Sequence, residues 1–160
     1  MYLEVIDLSW NDCLPKHFVP LLGVLSRNLT IKSLNLSWNN LLEKSDMNNA
    51  FDVTNDSLLA DYVNARSAAI KNGSGKIEED NSWITDHPKF VMYCFCMMIR
   101  RSKNLQTLIL SSCGLNSQVL VGLVRAIRHC KALVCLHLEY NPGMNADVLK
   151  FYKNRMRCKE

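Results

Sequence analysis

A pattern of a dozen residues returns four times along this chain, and it narrows the possible folds more than any other feature. "LEVIDLSWNDCL" begins at Leu3 and aligns with "IKSLNLSWNNLL" at Ile31. Leu3, Ile6, Leu8 and Asn11 fall on Ile31, Leu34, Leu36 and Asn39, while Trp10 falls on Trp38. Further on, "LQTLILSSCGL" supplies Leu105, Leu108, Leu110 and Cys113, and "LVCLHLEYNPGM" supplies Leu133, Leu136, Leu138 and Asn141. Leu3 to Ile31 and Leu105 to Leu133 are both steps of 28 residues. A fixed period of this size outranks local propensity, because it predicts stacked structural units that share one core.

The rest of each unit keeps the register. Thirteen, ten and six residues before Ile31 stand Phe18, Leu21 and Leu25. The same places before Leu105 hold Met92, Phe95 and Ile99, and before Leu133 they hold Leu120, Leu123 and Ile127. Spacings of three and four put each trio on one face of a helix. The predicted unit is strand, turn, helix.

At this point the chain resembles a known family. LxxLxLxxNxL followed by a helix, at 28 residues per unit, is similar to the leucine-rich repeats of the ribonuclease-inhibitor type over roughly residues 1–42 and 87–152. The resemblance implies an α/β leucine-rich-repeat solenoid of about four repeats, with parallel strands on the concave face and helices on the convex face. Cys113 in an Asn position fits the same family, where a polar side chain must satisfy backbone groups as the chain leaves the strand. Such a resemblance speaks to architecture and leaves the partner open.

One interval breaks the period. Ile31 to Leu105 spans 74 residues, and the surplus over one unit falls within residues 43–86. That segment carries nine acids and four bases, whereas residues 147–160 carry five bases and two acids. The expected organisation is two strands and the first helix in 1–42, an acidic, flexible insert in 43–86, continuing repeats in 87–146, and a basic capping helix in 147–160. Within the insert, "DSLLADYVNARSAAIK" has helical spacing, with Asn55 or Asp56 as N-cap. No capping segment precedes Leu3, so the first strand is expected to be an exposed edge, or to continue into a longer chain or a second copy.

Composition restricts the class further. No apolar run is long enough to span a membrane, and Met1 leads directly into the first strand, so no signal peptide is expected. An odd count of seven cysteines, scattered through core and helix positions, argues against a disulfide framework and for a reducing, cytoplasmic setting. The sequons at Asn28, Asn35, Asn55 and Asn72 then carry no meaning.

Catalytic and ligand motifs fare poorly. "IKNGSGKI" fails the phosphate-loop spacing, with Ile70 and Ile77 at its key places. Cys94 and Cys96 flank core Phe95 on a helix, and neither they nor Cys130, Cys135 and His129 offer four convergent zinc ligands in paired spacing. Cys135 and His137 share one strand face, which is two members of a nucleophilic arrangement and not three. The basic tail (Lys150, Lys153, Arg155, Arg157, Lys159) suits a solvated helix end. No enzyme, cofactor, metal, small-molecule substrate or nucleic-acid partner is indicated.

The exposed strand positions are more informative. With the fourth and sixth places of each unit turned inward, the third, fifth and seventh face the open side. These are Val5, Asp7, Ser9; Ser33, Asn35, Ser37; Thr107, Ile109, Ser111; and Cys135, His137, Glu139. The eighth place holds Trp10, Trp38, Ser112 and Tyr140, so two indoles are predicted side by side on the rim. Tryptophan and tyrosine are the commonest anchors of protein interfaces. The expected function is a protein-interaction module whose candidate contacts are Trp10, Trp38, Tyr140, Asp7, Asn35, His137 and Glu139. The insert, leaving soon after Trp38, is an alternative cover for the indoles. Two rival readings are a GTPase regulator resembling the activators of Ran, and an actin-binding solenoid of the tropomodulin kind. The first relies on an arginine just after a strand, where this chain has Asn11-Asp12, Asn39-Asn40, Cys113-Gly114 and Asn141-Pro142. The second relies on tropomyosin-binding helices that are absent here.

Overall fold

The computed structural model describes residues 2–41, 88–127 and 130–157. Within them lie four strands, β1 (Val5–Asp7), β2 (Ser33–Asn35), β3 (Thr107–Ile109) and β4 (Cys135–His137). Four helices accompany them: α1 (Pro15–Leu25), α2 (Pro88–Arg101), α3 (Ser117–Ile127) and α4 (Ala146–Arg157). The expected insert, its helix and its cover over Trp38 fall outside the described residues.

The strands form one parallel sheet in the order β1-β2-β3-β4. Register follows the sequence repeat, pairing Ile6 with Leu34, Leu34 with Leu108, and Leu108 with Leu136. Each junction uses the same hydrogen bonds. Glu4 O accepts from the N–H of Lys32 and Ser33, Lys32 O from Gln106 and Thr107, and Gln106 O from Val134 and Cys135. Across the long β2–β3 interval the two strands are still direct neighbours in the sheet, with the same pairing as across the two 28-residue intervals.

Parallel strands joined through helices must bury one face under those helices. Leu34, Leu36, Leu108, Leu110, Leu136 and Leu138 supply that buried face, against Phe18, Leu22, Met92, Phe95, Leu120 and Leu123 from the helices. Each helix packs on the next along the row, α1 on α2, α2 on α3 and α3 on α4. Phe18 meets Phe95 in a tilted contact with centroids 6.1 Å apart, which joins α1 to α2. Two of the three predicted helix stripes, those of α2 and α3, are fully buried. In α1 the buried set is Phe18, Leu22 and Leu25, while the expected Leu21 is only half-buried. Pro15 at its first position suits a helix start, and Pro20 within it gives up one backbone donor.

Helix starts are specified locally. Asn116 Oδ1 accepts from Val119 N–H at 2.9 Å, and Asn145 Oδ1 accepts from Val148 N–H at 2.9 Å, which caps α3 and α4. The turn into α4 lies so close to the start of α3 that a Cβ on Gly143 would meet the Asn116 carbonyl carbon at 2.1 Å. At the free edge of β4, the Tyr152 hydroxyl of α4 donates to Leu136 O at 3.2 Å. The C-terminal segment is helical from Ala146 to Arg157, with Val148 buried and Phe151 half-buried.

Candidate binding surface

Just beyond each strand the chain must leave the sheet, and at the eighth place of every unit it does so through a left-handed residue. Trp10, Trp38, Ser112 and Tyr140 have φ of 62°, 58°, 55° and 59°. A side chain in this region costs roughly 1–2 kcal/mol. Because Ser112 shares the conformation, the strain belongs to the turn itself and not to the aromatics it displays. The N–H groups of Trp10, Trp38 and Ser112 still pair with the next unit, at Ser37 O, Ser111 O and Glu139 O.

The turn is then tied down from inside. Asn39 Nδ2 donates to Leu8 O at 2.8 Å and Leu36 O at 3.0 Å, while its Oδ1 accepts from Cys13 N–H. Asn141 repeats this one end further on, donating to Leu110 O and Leu138 O and accepting from Cys113 N–H and Leu115 N–H. Cys113 donates its thiol to Leu36 O at 3.3 Å, in the place of an amide. Burial pushes that thiol up to about 12, against the pull of the Asn39 and Trp38 backbone, so it stays a donor. Asn11 does less: its amide reaches Ser9 O and is exposed.

Held this way, the two indoles come together as predicted. Trp10 and Trp38 stack at a centroid distance of 4.1 Å and an angle of 11°. They pair with each other and still stay open, at 69% and 48% exposure. Tyr140 is more exposed, at 85%, but Ser112 stands between its turn and that of Trp38, so it does not join the stack. The rim therefore carries one aromatic pair and one separate aromatic.

The open face of the sheet holds two polar groups of side chains. At the β1–β2 end, Asp7 Oδ1 accepts from the hydroxyl and N–H of Ser9 at 2.6 and 2.9 Å, and Oδ2 accepts from Asn35 Nδ2 at 3.0 Å. These three donors, the Ser9 hydroxyl first, hold the Asp7 carboxyl below its ordinary value. Asn35 Oδ1 in turn accepts from the hydroxyl and N–H of Ser37, which is buried although it faces the open side. At the β4 end, Cys135 Sγ lies 3.1 Å from His137 Nε2, and His137 Nδ1 lies 3.2 Å from Glu139 Oε1. Glu139 Oε2 also accepts from the Ser111 hydroxyl at 2.6 Å. Burial works against the Glu139 carboxylate, but Ser111, its own backbone and His137 together hold it below the usual range. Ile109, with Thr107, separates the two groups.

All seven candidate residues thus lie on the open face or its rim, in two clusters and not in one site. Sequence reasoning saw Cys135 and His137 as a pair, and the structure extends them to a chain of three through Glu139. The signal was present as Cys-x-His-x-Glu, whose period of two places all three on one face of a strand. Among the described residues no group of three or more His, Cys, Asp or Glu is arranged to hold a metal ion, and no helix is long and apolar enough to cross a membrane. No protein-family profile and no curated protein matches this chain.

Proposed function

We propose that the chain is a leucine-rich-repeat solenoid of the ribonuclease-inhibitor kind that works as a protein-interaction module in a reducing, cytoplasmic setting. Support for the solenoid comes from the 28-residue step, the sequential parallel pairing, the left-handed residue at the same place in every unit, and the Asn or Cys stitch inside each inner turn. Support for the setting comes from six free cysteines among the described residues, three of them buried enough to be pushed up to about 11 or 12.

The observation that carries the function is the open Trp10–Trp38 stack. Two indoles ordered by each other have already lost part of their rotamer freedom, so a partner that covers them forgoes less entropy on binding. Flat apolar area beside the hydrogen-bonding Asp7–Asn35 group matches the anatomy of an interface centre with a polar rim. The test compares proteins retained from a cell extract by the intact chain and by Trp10→Asn/Trp38→Asn, since Asn tolerates the left-handed turn. A purified partner is then titrated against both. Loss of the stack is expected to weaken binding by about 30-fold or more, the effect of one hot-spot residue. An affinity that ignores both tryptophans but falls with the helix-side change Arg125→Glu contradicts the reading.

A further inference from the structure

The Cys135, His137 and Glu139 side chains form a relay at the β4 end that docking does not require. A carboxylate only accepts, so the contact with Glu139 places the imidazole proton on Nδ1. In the neutral ring that leaves Nε2 as the acceptor, and it faces Sγ of Cys135 at 3.1 Å. The arrangement is a thiol, a base and a group that orients the base. The three side chains stand on a strand face that is open to solvent, with Cys135 half-buried and the His137 and Glu139 side chains 44% and 55% exposed.

We propose that Cys135 is a modification site, reacting as a thiolate with low-molecular-weight disulfides. The thiol proton passes to His137 Nε2, and Sγ attacks one sulfur of the incoming disulfide. The S–S bond breaks as the new one forms, and the second half leaves as a thiolate that takes the proton back from Nε2. Protein and small disulfide exchange partners, so no outside oxidant is needed. Glu139 is a positioning residue that also steadies the imidazolium. From β3 the relay is faced by Thr107, Ile109 and Ser111, none of which titrates. From α4 it is faced by Tyr152, whose hydroxyl is pushed up by burial and by the charges of Cys135 and Glu139, and so stays protonated near neutral pH.

Other thiols provide the contrast. Cys94, Cys96 and Cys113 are pushed up to about 11, 12 and 12, chiefly by burial, and Cys130 is buried. Cys13 is a free thiol, half-buried like Cys135. It is the internal control.

The full chain is treated with hydroxyethyl disulfide from pH 5.5 to 8.5, and the mixed disulfide at each cysteine is quantified by peptide mass spectrometry. At pH 6.5 Cys135 is expected to react about tenfold faster than Cys13, because His137 Nε2 stands 3.1 Å from its sulfur to take the proton. In His137→Asn its rate falls to within about twofold of Cys13 across the pH range. Glu139→Gln lies between, with the pH profile displaced upward. A Cys135 rate no greater than that of Cys13, or one unchanged or increased in His137→Asn, overturns the proposal. Circular dichroism confirms that each variant keeps the fold. The Glu139→Gln profile repeats the test without touching the base.

Discussion

The β1–β2 pair and the β3–β4 pair are built on the same 28-residue step, yet they present different faces to solvent. At the β1–β2 end the first-place residue Leu3 is 63% exposed, and the rim carries a stacked pair of indoles. At the β3–β4 end Leu133, in the same place of its unit, is 2% exposed, and the face carries a thiol, an imidazole and a carboxylate in line. The inward positions, the left-handed turn and the amide stitch are common to both. Repetition thus dictates the frame, while the residues free of the frame give each end its own chemistry.

The comparison can be broken most severely at Gly143. An alanine there drives a Cβ into the backbone of Asn116 and Ser117, so Gly143→Ala is expected to cost about 3 kcal/mol in chemical unfolding. Gly23 lies on the exposed face of α1 with nothing within 4 Å of a Cβ, and Gly23→Ala is expected to add about 0.5–1 kcal/mol. Equal effects at the two glycines would refute the close packing of the α4 turn on α3.

Next in size is the contrast of equivalent positions. Leu133→Ala removes a buried side chain and is expected to cost about 2–5 kcal/mol, against about 0.5 kcal/mol or less for Leu3→Ala. Asn141→Ala strips two buried carbonyls and two buried N–H groups of their partner, a loss of about 2–3 kcal/mol, whereas Asn11→Ala gives up one exposed contact and about 0.5 kcal/mol or less. A double-mutant cycle on Trp10 and Trp38 should return a coupling of about 0.5–1.5 kcal/mol. Ser112→Gly, which relieves the left-handed turn without disturbing the stack, should stabilise by up to about 1 kcal/mol after the entropy of the unfolded glycine is deducted.

The smallest effect is in pH. Hydrogen bonds from Ser9 and Asn35 depress the Asp7 carboxyl below its reference of 3.8. A depressed carboxylate stabilises the fold above its unfolded value and loses that contribution as pH falls through the folded value. Acid titration below pH 3.8 should therefore show a slight excess loss of stability in the natural chain relative to Asp7→Asn. A loss that begins near neutrality would not come from Asp7.

Much of the frame was legible because it is written in periods. Spacings of three and four identified the helix faces, alternation identified the inward leucines, and the offset of 28 identified the strand register. Leu22 escaped, and Leu21 stood in its place, because a stripe of three positions does not resolve a one-residue rotation of the α1 face. The indole pair was legible as adjacency, since equivalent places of neighbouring parallel strands stand about 4.8 Å apart. Its stacked geometry was not, because that depends on the left-handed φ that aims both side chains, a conformation that tryptophan does not signal. The relay at β4 was legible only as three residues on one face. Whether an imidazole turns toward a thiol or toward a carboxylate is settled by rotamers, and here His137 reaches both.

The central claim is that the Trp10–Trp38 stack is an open surface. Acrylamide quenching of tryptophan fluorescence in the full chain carrying Trp83→Phe reads those two indoles alone. The account predicts long-wavelength emission and ready quenching, changed little when residues 45–85 are replaced by a short Gly/Ser linker. Short-wavelength emission that resists quenching in the intact chain, and opens only when that segment is replaced, would contradict it.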